Sequence, residues 1–168
     1  VNLKLRLAAR LSHFIFTASS ASFRLKSKKV RITGHGIDTR MFNCANHVRT
    51  SEIFNILSVG RITKIKNLDI LIKATKFLQE QSGRTIKVSI VGGVVTREDE
   101  EYFEYVKKLV SEFNIESIVQ FVGAVPYSQI IFYYRKSDLS VNLCPTGGID
   151  KAVLEAMACG VPGLVANE

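Results

Sequence analysis

Cysteine is scarce, acidic residues are outnumbered, and no apolar run approaches the roughly 18 residues that a membrane helix requires. The three cysteines, Cys44, Cys144 and Cys159, are odd in number and scattered, with no CxxC pair, which excludes a disulfide framework and a structural zinc site. Reduced thiols in a cytoplasmic protein are the expectation. Lys and Arg total 23 against 15 Asp and Glu, a formal net charge of +8. Such a surface favours anionic partners without choosing among phosphates, nucleic acid and acidic membrane. With 46% hydrophobic residues in 168, the chain is long and apolar enough for a real core, so general disorder is excluded.

Several motifs are also missing. No GxxxxGK[ST] loop is present, and the first regular strand does not run into GxGxxG. No DxD metal motif appears, and no RNA or DNA signature accompanies the basic charge, so a nucleic-acid module is set aside. The beginning of the chain imitates a secretory signal: Lys4, Arg6 and Arg10 precede an apolar stretch at residues 11–18, and a run of small residues follows. His13 interrupts that stretch and the first residue is Val1, so a chain cut from something longer is expected instead.

From residue 53 onward the pattern is regular. Apolar, β-rich runs at residues 53–59, 86–91, 118–122, 139–143 and 161–166 end close to turn residues and read as strands. Between them, Leu68, Leu71, Ile72, Thr75 and Leu78 follow helical steps, as do Tyr102, Tyr105, Val106, Leu109, Val110 and Phe113. The spacing predicts two further helices over residues 127–135 and 151–158. Acidic residues at 98–101 crowd one helix start, where the dipole favours negative charge. Strand–helix alternation of this kind predicts an α/β fold: a Rossmann-like parallel sheet with helices on both faces. Residues 1–50 read differently, with a basic amphipathic helix over 1–11, short strands near 14–17 and 30–33, and a basic stretch from Arg24 to Arg31. They are expected to be the tail of a preceding domain plus a linker, with residues 51–168 forming the second domain. That domain stops straight after a strand, and the fold is expected to be truncated at both ends.

Gly60, Gly92 and Gly123 fall just beyond predicted strand ends, on the edge where open α/β sheets bind ligands. Such glycines serve turn geometry equally well. After Gly60 come Arg61, Lys64 and Lys66: cations able to hold a diphosphate through side chains, or solvated loop charges. Near the carboxyl end, a loop containing Gly147 and Gly148 leads through Asp150 and Lys151 into a short helix whose amino end can face an anion. Glu155, one turn in, can accept two hydrogen bonds from vicinal hydroxyls such as those of a ribose, or can be an exposed helix residue.

In order and spacing, these segments resemble the carboxyl-terminal half of glycosyltransferase family four, retaining enzymes of the GT-B fold. The likeness covers residues 29–168. It rests on His35-Gly36-Ile37-Asp38 with Phe42, on Val59-Gly60-Arg61 with Lys66, and on Ile90-Val91-Gly92-Gly93. The remaining elements are residues 119–125, Ser137-Asp138-Leu139, and Leu154-Glu155-Ala156-Met157-Ala158-Cys159-Gly160-Val161-Pro162.

The resemblance implies that Arg61 and Lys66 bind the diphosphate of a nucleoside diphosphate sugar and that Glu155 binds its ribose. Gly92 and Gly93 would lie near the nucleotide, Gly123 and Val125 near the base, and the loop of Gly147 and Gly148 on the sugar and phosphates. Leu154 belongs to the same donor-side segment. Gly147 stands where the family carries a first glutamate that touches the transferred sugar, which makes Asp150 and Lys151 candidates for a substitute contact. The implied activity is transfer of a sugar to a hydroxyl acceptor with retention, using no metal or other cofactor. Residues 1–50 would then be the remnant of the acceptor-side domain, whose missing part supplies most of the acceptor site. The isolated chain is accordingly expected to transfer nothing. A nucleotide-sugar epimerase on the same scaffold and a non-catalytic nucleotide-sugar-binding relic are the alternatives. Peripheral contact of the basic stretches with anionic membrane is a further expectation, weighed against simple solvated charge.

Overall fold

Ile56 and Leu57 are neighbours in one strand, yet each sits at the centre of a different apolar core. In the computed structural model, which describes residues 3–20, 22–23, 25–45, 52–145 and 150–166, side chains alternate across β3 (Phe54–Val59) so that both faces are covered. The first core joins Ile56 to Val88 and Ile90 of β4 (Ile86–Val91), to Leu68, Leu71 and Ile72 of α2 (Leu68–Gln81), and to Val106, Leu109 and Val110 of α3 (Arg97–Glu112). The second joins Leu57 and Val91 to Ile131 and Tyr134 of α4 (Tyr127–Arg135), and to Ala156 of α5 (Lys151–Ala158). Helices therefore cover both faces, as the apolar spacing requires. Burying each large side chain contributes about 1.5–3 kcal/mol.

Five strands make the main sheet, in the order β5–β4–β3–β6–β7, where β5 is Val119–Gly123, β6 is Leu139–Asn142 and β7 is Gly163–Val165. Every pairing is parallel: Ile56 stands opposite Val88 on one side and opposite Leu139 on the other. Asp138 locks the strand starts together, because its backbone N–H donates to the Asn55 carbonyl and its carboxylate accepts from the Asn55 N–H, both at 2.8 Å.

Two residues of the helical stripes depart from expectation. Leu78 and Tyr105 are 39% and 47% exposed. Leu78 lies in the last turn of α2, near the sheet's amino edge. Tyr105 leans on Tyr102, with ring centroids 6.1 Å apart, beside an open cleft. A helical stripe predicts the facing side but not where the sheet beneath it ends.

The amino-terminal part carries α1 (Leu3–Leu11) and a two-stranded parallel sheet of β1 (Ile15–Thr17) and β2 (Val30–Ile32). Lys29 directs its ammonium to the carbonyls of Ala9, Arg10 and Ser12 at 2.7–3.1 Å, a cation on the carboxyl end of α1. Further on, Asp38 accepts from the N–H groups of Arg40 and Met41 and turns the chain. That turn delivers Phe42, fully buried, edge-on to Tyr127 and Tyr134 in the second core. Among the described residues no helix is long and apolar enough to cross a membrane.

Candidate functional site

The strand order defines a crevice. From β3 the chain steps outward to β4 and β5, then returns to the other side of β3 to form β6. The segments leaving β3 and β6 therefore diverge at their carboxyl ends, the place where open parallel sheets bind ligands. Asn67, in the left-handed conformation at φ 49° and ψ 42°, closes the 3-10 turn Lys64–Lys66 and opens α2. Its side-chain amide donates to the Leu143 carbonyl at 2.9 Å, tying the loop after β3 to the loop after β6.

Across that tie, Lys66 and Asp150 meet as an ion pair, although 84 residues separate them in sequence. The same carboxylate oxygen accepts from the Asn142 amide at 3.0 Å. Its other oxygen accepts from the Ala152 N–H at 3.3 Å, which makes Asp150 the N-cap of α5. Burial alone would raise the Asp150 pKa. The Lys66 hydrogen bond and charge, with the Ala152 N–H and Asn142, outweigh it and hold the carboxyl below the ordinary value of 3.8. Arg61 stands at the entrance of the same loop, exposed and without a hydrogen bond or ion pair among the described residues.

Glycines floor this edge. The Gly60 N–H donates to the Val91 carbonyl and the Gly92 N–H to the Gly123 carbonyl, each at 2.9 Å, so the three glycines form one row across β3, β4 and β5. A Cβ on Gly60 would meet the Lys66 stem at 3.2 Å. Gly93 accepts from the Ile62 N–H at 2.9 Å. Backbone thus approaches backbone where a ligand would lie, with room kept for the lysine.

Glu155 is buried, at 3% exposure, and not an exposed helix residue. Its carboxylate accepts from the Tyr127 hydroxyl at 2.7 Å and from the Tyr134 hydroxyl at 3.2 Å, with the Lys151 ammonium 3.6 Å away. Lys151 also donates to the Tyr127 hydroxyl at 2.9 Å and stands over its ring, 4.7 Å from the centroid. Burial, followed by the Glu155 charge, pushes the Tyr134 pKa well above its ordinary value, so that hydroxyl remains a donor. The carboxylate expected to receive two hydroxyls does receive two, from the protein itself.

Of the other candidates, Val125 packs at the margin of the second core and Leu154 is half-buried on α5. Gly147 and Gly148, like Arg24 of the basic stretch, lie outside the described residues. Thus Gly60, Lys66 and Asp150 come together, as do Lys151 and Glu155 one turn along α5, while Gly92, Gly93 and Gly123 form the adjoining floor. Sequence reading missed Asn67, Asn142, Tyr127 and Tyr134. Asn67 immediately before a helix stripe was the one local signal among them.

A cleft of about 560 Å³ lies on the other side of the Lys64–Asn67 turn, between the amino ends of α2 and α3. Asp69, Glu98, Asp99 and Glu101 outnumber Lys64 in its lining, the wrong balance of charge for a phosphate. Among the described residues no group of three or more His, Cys, Asp or Glu could hold a metal ion.

The fold and the crevice define a parallel α/β domain that presents cations and a helix amino end at its switch point. Residues 45–168 match the family described as glycosyl transferases group 1, and the chain belongs to that family. It is 29% identical over 143 residues to the amylovoran biosynthesis glycosyltransferase AmsK of Erwinia amylovora, covering 81% of this chain and 33% of that protein. The putative colanic acid biosynthesis glycosyltransferase WcaL of Escherichia coli K12 is 27% identical, with 80% and 33% covered. The chain thus spans about a third of the length of these curated relatives.

Among solved structures, Anabaena Alr3699/HepE in complex with UDP and glucose superposes with a TM-score of 0.80 at 19% identity, covering 95% of this chain and 46% of that one. The carboxyl-terminal domain of the group 1 family protein LpcC from Francisella tularensis superposes with a TM-score of 0.62 at 20% identity, with 77% and 70% covered. These likenesses establish the fold, that of the GT-B glycosyltransferases.

Proposed function

We propose that this chain is the carboxyl-terminal, donor-binding half of a family-four retaining glycosyltransferase. The whole enzyme passes a sugar from a nucleoside diphosphate sugar to a hydroxyl acceptor. The observation that carries the reading is the meeting of Lys66 with the amino end of α5 at the crevice between β3 and β6. Fold neighbours solved in complex with UDP, and the likeness to a carboxyl-terminal domain, support it.

In this reading Arg61 forks onto the diphosphate, Lys66 adds a point charge, and the first N–H groups of α5 complete the cradle. Glu155 receives the ribose in place of Tyr127, whose hydroxyl holds one of its oxygens in the unliganded chain; the Gly92–Gly93 turn lies beside the nucleotide, and Gly123 with Val125 lies near the base. As the bond from the anomeric carbon to the diphosphate oxygen breaks, its electron pair leaves with the diphosphate. Arg61 and Lys66 stabilise that growing charge. The acceptor oxygen bonds to the same carbon and passes its proton to the departing diphosphate. Most of the acceptor site belongs to the other half, so the isolated chain binds donor and transfers nothing.

The test is made in two places. Nucleoside diphosphates at millimolar concentration raise the melting temperature of this chain, because ligand binding adds RT ln(1 + [L]/Kd) to stability. In the whole enzyme, Arg61→Ala and Lys66→Ala each lower transfer at least about tenfold, a modest demand beside the roughly 10²–10³ typical of a lost preorganised partner. Unchanged turnover in both variants rejects the assignment.

A further inference from the structure

Lys66 reaches the crevice already engaged. Its ammonium lies on Asp150, whose carboxylate is held in place from two other directions by the Asn142 amide and the Ala152 N–H. The carboxylate therefore occupies the position that an anionic ligand would claim, between a lysine and the amino end of a helix. Carboxylate and phosphate oxygens draw on the same donors. The two side chains are 18% and 32% exposed, so water screens the pair only in part.

We propose that Asp150 is an internal competitor for the diphosphate: it holds Lys66 in the unliganded chain, and a nucleoside diphosphate binds against it. An ammonium has three protons and can touch two anions at once. In that case the carboxylate and the phosphate sit on one cation and repel each other. If Lys66 swings to the phosphate instead, the ion pair is lost. Either route weakens diphosphate binding, so Asp150 sets the affinity of the site for this ligand class. The inference rests on Lys66 being a diphosphate contact.

Asp150→Asn removes the charge and keeps the helix cap, since Asn caps as well as Asp. The probe is inorganic pyrophosphate, titrated calorimetrically into the 168-residue chain at low salt and pH 7. Asp150→Asn binds it at least about threefold more tightly than wild type, an effect within reach of one partly screened ion pair. In the Lys66→Ala background the gain disappears. Equal or weaker binding by Asp150→Asn overturns the proposal, as does a gain that survives Lys66→Ala.

Lys66→Ala alone separates the two levels. If it weakens pyrophosphate binding while Asp150→Asn changes nothing, the competitor fails and the site stands. If it has no effect, or neither protein binds pyrophosphate, the reading of the site fails with it. Asp150→Ser, which also caps, replaces Asp150→Asn under the same criterion if circular dichroism shows the latter misfolded.

Discussion

Gly92 lies so close beneath Gly60 that a Cβ added to it would stand 1.8 Å from the Gly60 carbonyl oxygen. No rotamer relieves such a clash, because the Cβ position is fixed by the backbone and the oxygen belongs to it. The φ of Gly92, +150°, is itself uncommon for residues with a side chain. Gly123 offers the comparison: its φ is +83°, and nothing lies within 4 Å of an added Cβ. Gly123→Ala is therefore expected to cost only the left-handed backbone term, about 1–2 kcal/mol. Gly92→Ala adds a forced separation of β3 from β4 and costs about 3 kcal/mol or more. Urea unfolding of the two variants checks this. Equal costs would mean that the close approach does not hold the crevice floor.

Glu155 provides a second test, in which stability and binding separate. Two tyrosine hydroxyls aim at its carboxylate. Glu155→Ala empties the space of a buried side chain and takes the acceptor from Tyr127, while the Tyr134 hydroxyl keeps the Ala152 carbonyl at 3.0 Å; it is expected to cost about 1.5–2 kcal/mol, whereas Glu155→Gln, which keeps an oxygen there, costs about 1 kcal/mol. Tyr127→Phe removes one donor and frees one carboxylate oxygen. That oxygen is buried, but the Lys151 ammonium stays 3.6 Å from it, so the loss should cost about 0.5–1 kcal/mol, less than Glu155→Ala. Chemical denaturation ranks the three variants. A Tyr127→Phe variant as damaged as Glu155→Ala would show that the phenol, and not the carboxylate, organises this cluster.

Local structure was legible wherever period and punctuation agreed. The helices at Tyr127–Arg135 and Lys151–Ala158 carry their boundaries in sequence, with Pro126 before the first and Asp150 capping the second. Strands ending at glycine were equally plain. Pairings between distant segments were not. Nothing in residues 60–67 announces that Lys66 will meet Asp150, because that contact depends on β6 lying beside β3, and strand order is not written in periodicity. The burial of Glu155 was hidden for the same reason: its tyrosines come from α4, which precedes β6. Asp99 stands in the first turn of α3, as the acidic run implies, but has a further local role. Its carboxylate serves a capping box with Thr96, a three-residue spacing present in the chain, and is not merely one acid among several at a helix start.

Cys159 permits a chemical prediction. Burial, partly offset by the Arg135 charge, pushes its thiol pKa up from 9.0 to about 11, and the side chain is fully enclosed. At pH 8 it presents almost no thiolate and no access, while Cys44 is exposed. A thiol reagent at pH 8 is expected to label Cys44 quickly in the native chain and Cys159 only after denaturant is added. Mass mapping of the labelled peptides decides it. Labelling of Cys159 at the rate of Cys44 would show that the second core opens far more often than its packing implies.

Acid offers the remaining handle on the fold. The Asp99 carboxylate accepts from the N–H groups of Thr96 and Val95 at 3.1 and 3.3 Å, and its own N–H donates to the Thr96 hydroxyl at 3.1 Å. A hydrogen bond with Thr63 is the largest influence on it. Together with the bonds to Thr96 and Val95, that bond holds the carboxyl below its ordinary value of 3.8, against the opposing pull of burial. With the folded pKa below the unfolded one, the unfolded chain binds more protons as pH falls through that range. The stabilisation is complete above the unfolded value and is lost as pH drops through the folded one. Asp150, shifted in the same direction by Lys66, adds to the effect. Asp99→Asn should therefore melt below wild type at pH 7, and the gap should close progressively once the pH is taken below 3.8. Thr96→Ala, which removes the reciprocal cap, is expected to cost about 1 kcal/mol at neutral pH. Melting curves of the three proteins from pH 7 to pH 3 test both points. A gap between wild type and Asp99→Asn that stays constant with pH would show that the side chain acts at α3 through shape alone and not through its charge.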